Sequence, residues 1–405
     1  MKDAILAGLG LICLAIPVSA FDIRFEGAAL ADAEGGAALR SFASDIQSAL
    51  PPRAAALIDR PVLIRFADLD GASELDDVCP SGDRAQKPPV LGQIRGSLWA
   101  RDRFEIQIHR GFIKEIAKGA EGSRAIDCLH GTMYKTALAT VLHELGHVLD
   151  SSHRFSGSKQ YRGLTDWSSG ITGTSPKNML ANRSPDDYEF KNPAESFAVN
   201  FEYFLLDPEY ACRRPAVARY YSEQFGAPAS RADCAPYHKV SLSPDDRPAD
   251  LDPSRIYAVH FLFASKGPAM MSRWGHAMYR LIVCAPERKE VGPDCLKDVS
   301  RHVVAGYRAN VLDAQIDYWK GLTGGYPSRL FFYSFANIVL EYNQEELRDL
   351  ISLPMSLSEE RKTMFVEHLL EQQWGYEGRY SFFTNNCATE AGDAISGSIN
   401  SAHKL

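Results

Sequence analysis

Leu138, Leu142, Leu145 and Leu149 recur at helical spacing, so Thr136 to Asp150 must fold as a helix with one side buried. Whatever surrounds it must supply the cover. Within this helix stands His143-Glu144-Leu145-Gly146-His147. Two histidines one turn apart point the same way and can share a metal ion; the H-E-x-x-H pattern points to zinc. Glu144 sits beside them, placed to take a proton from a metal-polarised water and pass it to a leaving amine.

Two residues compete to complete the site. His153 follows at the spacing of H-E-x-x-H-x-x-G-x-x-H, but Asp150 stands where that motif needs its glycine, and Met179 is a poor Met-turn. Glu195 opens a later helix, Asn192-Pro193-Ala194-Glu195, in which Asn caps and Pro suits the first turn, and which runs to about Leu206. Glu195 is the expected third ligand and His153 the alternative. A capping box, with Glu195 reaching back to Asn192, is the competing structural role. With Glu195 in place, this half resembles the glutamate-ligated H-E-x-x-H zinc metallopeptidases. Tyr161 and Tyr188 are further candidates for stabilising an oxyanion.

Lys2 leads into an apolar run from Ala4 to Val18 that ends in Val18-Ser19-Ala20, which reads as a secretory signal, residues 1–20, cut after Ala20. No later segment reaches the ~20 apolar residues of a membrane helix, so none is expected in the mature chain. The expected location is the periplasm. At 405 residues the chain exceeds one ordinary core, which favours two domains. A net charge of -7 leaves no footprint for nucleic acid. Once Cys13 leaves with the signal, proximity pairs Cys79 with Cys128, Cys212 with Cys234 and Cys284 with Cys295, other connectivities remaining open. Cys387 is then left over.

Strands are expected at Phe21 to Phe25, Val62 to Phe66 and Phe104 to His109, with a helix from Ala38 to Leu50. Ser151 to Asp187 reads as an irregular segment passing over a site. Ser241 to Ser254, rich in proline and aspartate, reads as a linker, placing one domain at 21–245 and another at 246–405. In the second, a helix is expected near Ile256 to Phe263 and strands near Ala277 to Val283 and Val303 to Arg308. Further helices are expected from about Gln344, Glu359 and Cys387.

The second half carries Trp274-Gly275-His276, Lys320-Gly321-Leu322-Thr323-Gly324-Gly325-Tyr326-Pro327, Glu341-Tyr342-Asn343 with Glu346 and Arg348-Asp349, and Phe382-Phe383-Thr384-Asn385-Asn386-Cys387. In that order these resemble the Lnb N-terminal periplasmic domain family, similar to circularly permuted papain-like enzymes of the NlpC and lecithin retinol acyltransferase type. The resemblance implies Cys387 as nucleophile and His276 as base. Independently, a cysteine at a helix start feels amides and a dipole that favour thiolate. His302, on the next expected strand, is the candidate to orient His276. Asn385 and Asn386 would cap the helix or line an oxyanion hole.

The expected fold is α+β: a zincin-like metallopeptidase domain followed by a circularly permuted papain-like α+β domain. The expected function is a zinc-dependent peptidase-like site plus a thiol hydrolase or acyltransferase site. The expected substrate is a peptide or protein, with lipoprotein, phospholipid and peptidoglycan as the envelope candidates. The alternatives are a lipoprotein N-acyltransferase or cell-wall amidase using Cys387 beside a non-proteolytic zinc domain, or a non-enzymatic envelope-binding module.

Overall fold

A computed structural model describes residues 21–26, 33–69, 75, 78–79, 90–95, 102–128, 130–165, 167, 186–227, 233–267, 272–273, 275–311, 317–376 and 378–399. The leader, Met179 and Trp274 lie outside them, as does much of the expected irregular segment.

The first half runs β1 (Ile23–Glu26), α1 (Ala33–Ala49), α2 (Pro52–Leu57), β2 (Val62–Ala67), β3 (Gly92–Ile94), β4 (Phe104–His109), α3 (Phe112–Gly122), α4 (Met133–His153), α5 (Lys159–Thr165), α6 (Pro193–Leu206), α7 (Tyr210–Arg213) and α8 (Pro215–Phe225). Its four-stranded sheet has the order β1-β2-β4-β3, parallel except for the edge strand β3. Ile64, Ile106 and Ile108 share one core with Leu142, Leu145 and Leu149 of α4 and Phe197 and Phe201 of α6. The leucine stripe therefore finds its cover in both a sheet and a helix. Gly146 sets the spacing of α4 and α6, because a Cβ there would come within 3.1 Å of Ala198 Cα.

The second half contains β5 (Lys239–Ser243), β6 (Arg247–Asp250), β7 (Ile256–Ala264), β8 (His276–Val283), β9 (Val303–Ala309), α9 (Tyr318–Thr323), β10 (Tyr326–Ser334), α10 (Phe335–Val339) running into a π-helical turn (Leu340–Glu345), β11 (Leu350–Pro354), α11 (Glu359–Gly375), β12 (Gly378–Tyr380) and α12 (Cys387–Ile399). An eight-stranded sheet takes the order β11-β7-β8-β9-β10-β5-β6, with β12 on β10. Ala277, Tyr279 and Leu281 point to the face covered by α11 and α12; Met278 points to the opposite face, with Tyr342.

Three expectations change. Ile256 to Phe263 is a strand, not a helix; a short apolar run has no periodicity to separate the two, and pairing with β8 and β11 decides. No regular helix starts at Gln344, where the π-helical turn ends and β11 follows. The expected linker forms the β5–β6 hairpin, and β5 pairs with β10, so this stretch joins the second sheet instead of separating two bodies. The disulfides are Cys79–Cys128, Cys212–Cys234 and Cys284–Cys295, with Cys387 free, as sequence proximity suggested.

The halves touch along α8 and α11. Arg214, buried, pairs with Glu189 of the first half and lies 3.8 Å from Glu371 of the second; Arg219 pairs with Glu367. Elsewhere α5 meets α12, where a Cβ on Gly397 would come within 3.2 Å of the Gly163 carbonyl oxygen.

Candidate metal centre and thiol site

Two helices build the first site. His143 and His147 project from α4 with ring centroids 4.8 Å apart, and the first turn of α6 brings Glu195 across. Glu195 Oε2 lies 3.0 Å from His147 Nε2 and 3.3 Å from His143 Nε2, and the three donor atoms fall within 4.8 Å of one another. Side-chain exposures of 13, 20 and 12 % for His143, His147 and Glu195 leave the cluster partly buried with some access from solvent. Asn192 caps α6 through its own carboxamide, while Glu195 Oε1 accepts from Lys191 Nζ at 3.1 Å, so Glu195 does not close a capping box. His153 is exposed at the end of α4, its Nε2 3.4 Å from the Leu57 carbonyl, and is not brought to the cluster.

Behind His143 stands a residue that motif reading missed. Glu202, two turns beyond Glu195 on α6, meets His143 Nδ1 at 3.1 Å through Oε2 and His130 Nε2 at 3.4 Å through Oε1. A carboxylate on the far ring nitrogen fixes the tautomer and aims Nε2 outward. The helical face shared with Glu195 was the available signal.

Electrostatics bind the cluster together. Burial would raise Glu195, but hydrogen bonds with His143 and His147 hold it well below the carboxylate range. Burial would lower His143, yet Glu195 and Glu202 push it well above an ordinary imidazole. Glu144 is buried beside them and raised by that burial. The Tyr188 ring lies 6.2 Å from His143, its hydroxyl accepting from Lys191 at 2.6 Å. Tyr161 is a core residue, fully buried with its hydroxyl against Ser196.

The second site gathers at the start of α12. Asn386 caps the helix, its Oδ1 accepting from the N–H groups of Ala388 and Thr389 at 3.0 and 3.2 Å. Cys387 is buried; that burial pushes the thiol up, although the N–H groups of Ala277 and Ala388 point at the sulfur and oppose the shift. Ala277 directly follows His276, so the thiol reaches the strand that carries the expected base. No hydrogen bond joins the two side chains among the described residues. Strand alternation sends His276 toward Tyr342, on which it stacks at 6.1 Å, and its Nε2 is buried without a hydrogen-bond partner. Burial, with Arg308 and Arg348 nearby, pulls its pKa down to about 3.

His302 is not brought to His276. It precedes β9 at the end away from Arg308, where Nδ1 accepts from Arg280 at 2.7 Å and Nε2 faces the Cys295 carbonyl at 2.9 Å. Arg308 was missed: it bonds Glu341 and the Tyr342 hydroxyl, and its charge reaches both His276 and Cys387. Glu341 and Tyr342 were visible in a motif but carried no role.

Comparison with known proteins divides the chain similarly. Residues 245–405 match the Lnb N-terminal periplasmic domain, and residues 155–234 match a domain of unknown function, DUF7844. The latter span includes Glu195 and Glu202 but begins after His147. No curated protein and no solved structure matches. The Lnb match fits a periplasmic location, and among the described residues no helix is long and apolar enough to cross a membrane.

Proposed function

We propose that this is an exported envelope protein with two reaction centres, a zinc-dependent peptidase-like site on α4 and α6 and a thiol site headed by Cys387. The first rests on one observation, the convergence of two imidazole nitrogens and a carboxylate oxygen beside buried Glu144. That donor set suits a catalytic zinc, which takes three protein ligands and keeps one position free. Zinc held there supplies Lewis-acid polarisation of a carbonyl and of a water. His143 and His147 would hold it through Nε2 and Glu195 through Oε2. Glu144 takes the proton of the attacking water and hands it to the leaving amine. Glu144→Gln should retain zinc but lose peptide hydrolysis by about 10²- to 10⁴-fold, and a chelator should silence the unaltered protein. Hydrolysis indifferent to both changes rejects the reading.

At the second centre Cys387 attacks an acyl carbonyl. The S–C bond forms, the bond to the leaving alcohol or amine breaks, and the thiol proton passes to that group, with His276, the residue before the Ala277 amide that meets the sulfur, as its carrier. An amine acceptor then completes acyl transfer, and water completes hydrolysis. One surface favours a lipoprotein or phospholipid over a peptidoglycan peptide. Trp319 and Leu322 of α9 and Phe383, in the turn packed on α9, are 72, 41 and 69 % exposed beside the segment that leads to Cys387. Large apolar side chains in water suit a lipid boundary or an acyl chain. Incubation with phospholipid vesicles should leave an acyl mass on Cys387 that Cys387→Ser abolishes, and peptidoglycan fragments should leave none. The opposite pattern assigns an amidase; no adduct from either points to an envelope-binding module.

A further inference from the structure

Glu390 lies one turn after Cys387 on α12, is 3 % exposed, and gathers donors from three separate elements. Ser328 Oγ of β10 donates to Oε2 at 2.6 Å; the Tyr376 hydroxyl, just past α11, and Asn385 Nδ2 both reach Oε1, the latter at 2.9 Å. Asn385 also donates to the Arg379 carbonyl at 3.0 Å and closes the turn through its backbone bonds with Ser381. The next residue, Asn386, is the cap of α12, and after it comes the thiol. A buried carboxylate is costly unless its oxygens are satisfied. Here every bond it makes fastens the sheet, the end of α11 or the turn to the helix that starts at Cys387.

We propose that Glu390 is a positioning residue for Cys387, clamping the turn from Ser381 to Asn386 so that the sulfur stays seated against the Ala277 amide. This rests on Cys387 as the working thiol of the second site. The carboxylate is one turn away and acts through Asn385, without touching substrate. Its packing is tight, since a Cβ on Gly378 would come within 2.9 Å of Oε1. The clamp also keeps the thiol buried, and burial is what raises its pKa most. Release should therefore make Cys387 both more accessible and more acidic.

The test is the rate of iodoacetamide alkylation at Cys387, followed by mass spectrometry across pH 6 to 10 on the full chain. It needs no natural substrate. Glu390→Ala should raise the rate at pH 8 by about tenfold or more and move the profile to lower pH. Glu390→Gln keeps the shape, offers an oxygen to Tyr376 and Asn385 and an N–H to Ser328, and should restore a high-pH rate within about twofold of the unaltered protein. Asn385→Ala cuts the bond to the turn while leaving in place the buried carboxylate, whose charge itself raises the thiol, and should reproduce the faster alkylation at high pH without the full acid shift; it decides the matter if Glu390→Ala does not fold. Profiles of both alanine variants that overlay the unaltered protein overturn the clamp, as does a glutamine variant whose high-pH rate matches that of alanine; a shared acid shift reflects only the lost charge. Neither result bears on whether Cys387 forms a thioester, which the acyl-trapping experiment reads separately.

Discussion

The His143–His147–Glu195 cluster and the thiol site are assembled in opposite ways. The first draws its histidines from one turn of α4 and the Glu195 carboxylate from α6, and its three donor atoms already meet. The second takes a helix start, a strand start and a π-helical turn from distant parts of the chain. Its thiol and imidazole share a neighbourhood without a bond between them. Helix periodicity settles where neighbouring side chains point, whereas a strand followed by a loop leaves the final approach to tertiary packing. In the first site the donor atoms converge as the helices stand, whereas in the second the thiol and imidazole make no direct bond among the described residues.

The sharpest way to break this contrast is to remove Glu195. Glu195→Ala should reduce zinc, measured by plasma emission on the purified protein, from about one ion per chain to below about a tenth, because two histidines alone make a weak site. Alkylation of Cys387 should not change. Full zinc retention would place the metal elsewhere; altered alkylation would show that the two sites are not independent.

The next largest effect concerns the join between the halves. Arg214 is buried between Glu189 and Glu371, and Ala216 N–H donates to Glu371 at 3.2 Å. Arg214→Ala leaves both carboxylates without their cation and should cost about 3–5 kcal/mol in urea unfolding. A loss below about 1 kcal/mol would mean that water or rearrangement compensates at the interface.

Legibility followed the same division. The α4 stripe, the H-E-x-x-H face, the Asn192 cap and the start of α12 are local patterns, and each is found where the residues suggested. The β5–β6 hairpin was hidden because Pro248 and its acidic neighbours read as a linker, while pairing with β10 was not visible from composition. Strand β7 was mistaken for a helix for a related reason: sheet membership depends on partners far along the chain. His302 illustrates the limit for a site. It stands next to the expected strand, but the Cys284–Cys295 loop and Arg280 hold it at the far end of β9 from Arg308.

A pH experiment asks whether the join depends on keeping a buried imidazole neutral. His368 of α11 is fully buried, neither ring nitrogen has a hydrogen-bond partner, and its pKa is pulled down to about 4 by burial, with Arg219 adding to the shift. Its folded value lies below the unfolded ~6.5, so the unfolded chain binds the extra proton first. The stabilisation is present above pH ~6.5 and is lost as pH falls toward ~4, on the order of 3 kcal/mol in all. His368→Leu should flatten the urea midpoint over that range. An unchanged slope would assign the acid sensitivity to other groups.

The smallest expected effect separates holding a metal from aiming its ligands. Glu202 touches none of the converging donor atoms except through His143, whose Nδ1 it meets at 3.1 Å. Glu202→Gln preserves size and can still accept from Nδ1–H through its amide oxygen, but it removes the charge that makes the imidazole a stronger donor. Zinc affinity, measured by competition with a chromophoric chelator, should weaken by about 10- to 100-fold, with stoichiometry intact at saturating metal. Loss of stoichiometry would make Glu202 a ligand in its own right and redraw the site around two carboxylates. An unchanged affinity would reduce the His130–Glu202–His143 chain to packing, and the first site would then depend on its three converging side chains alone.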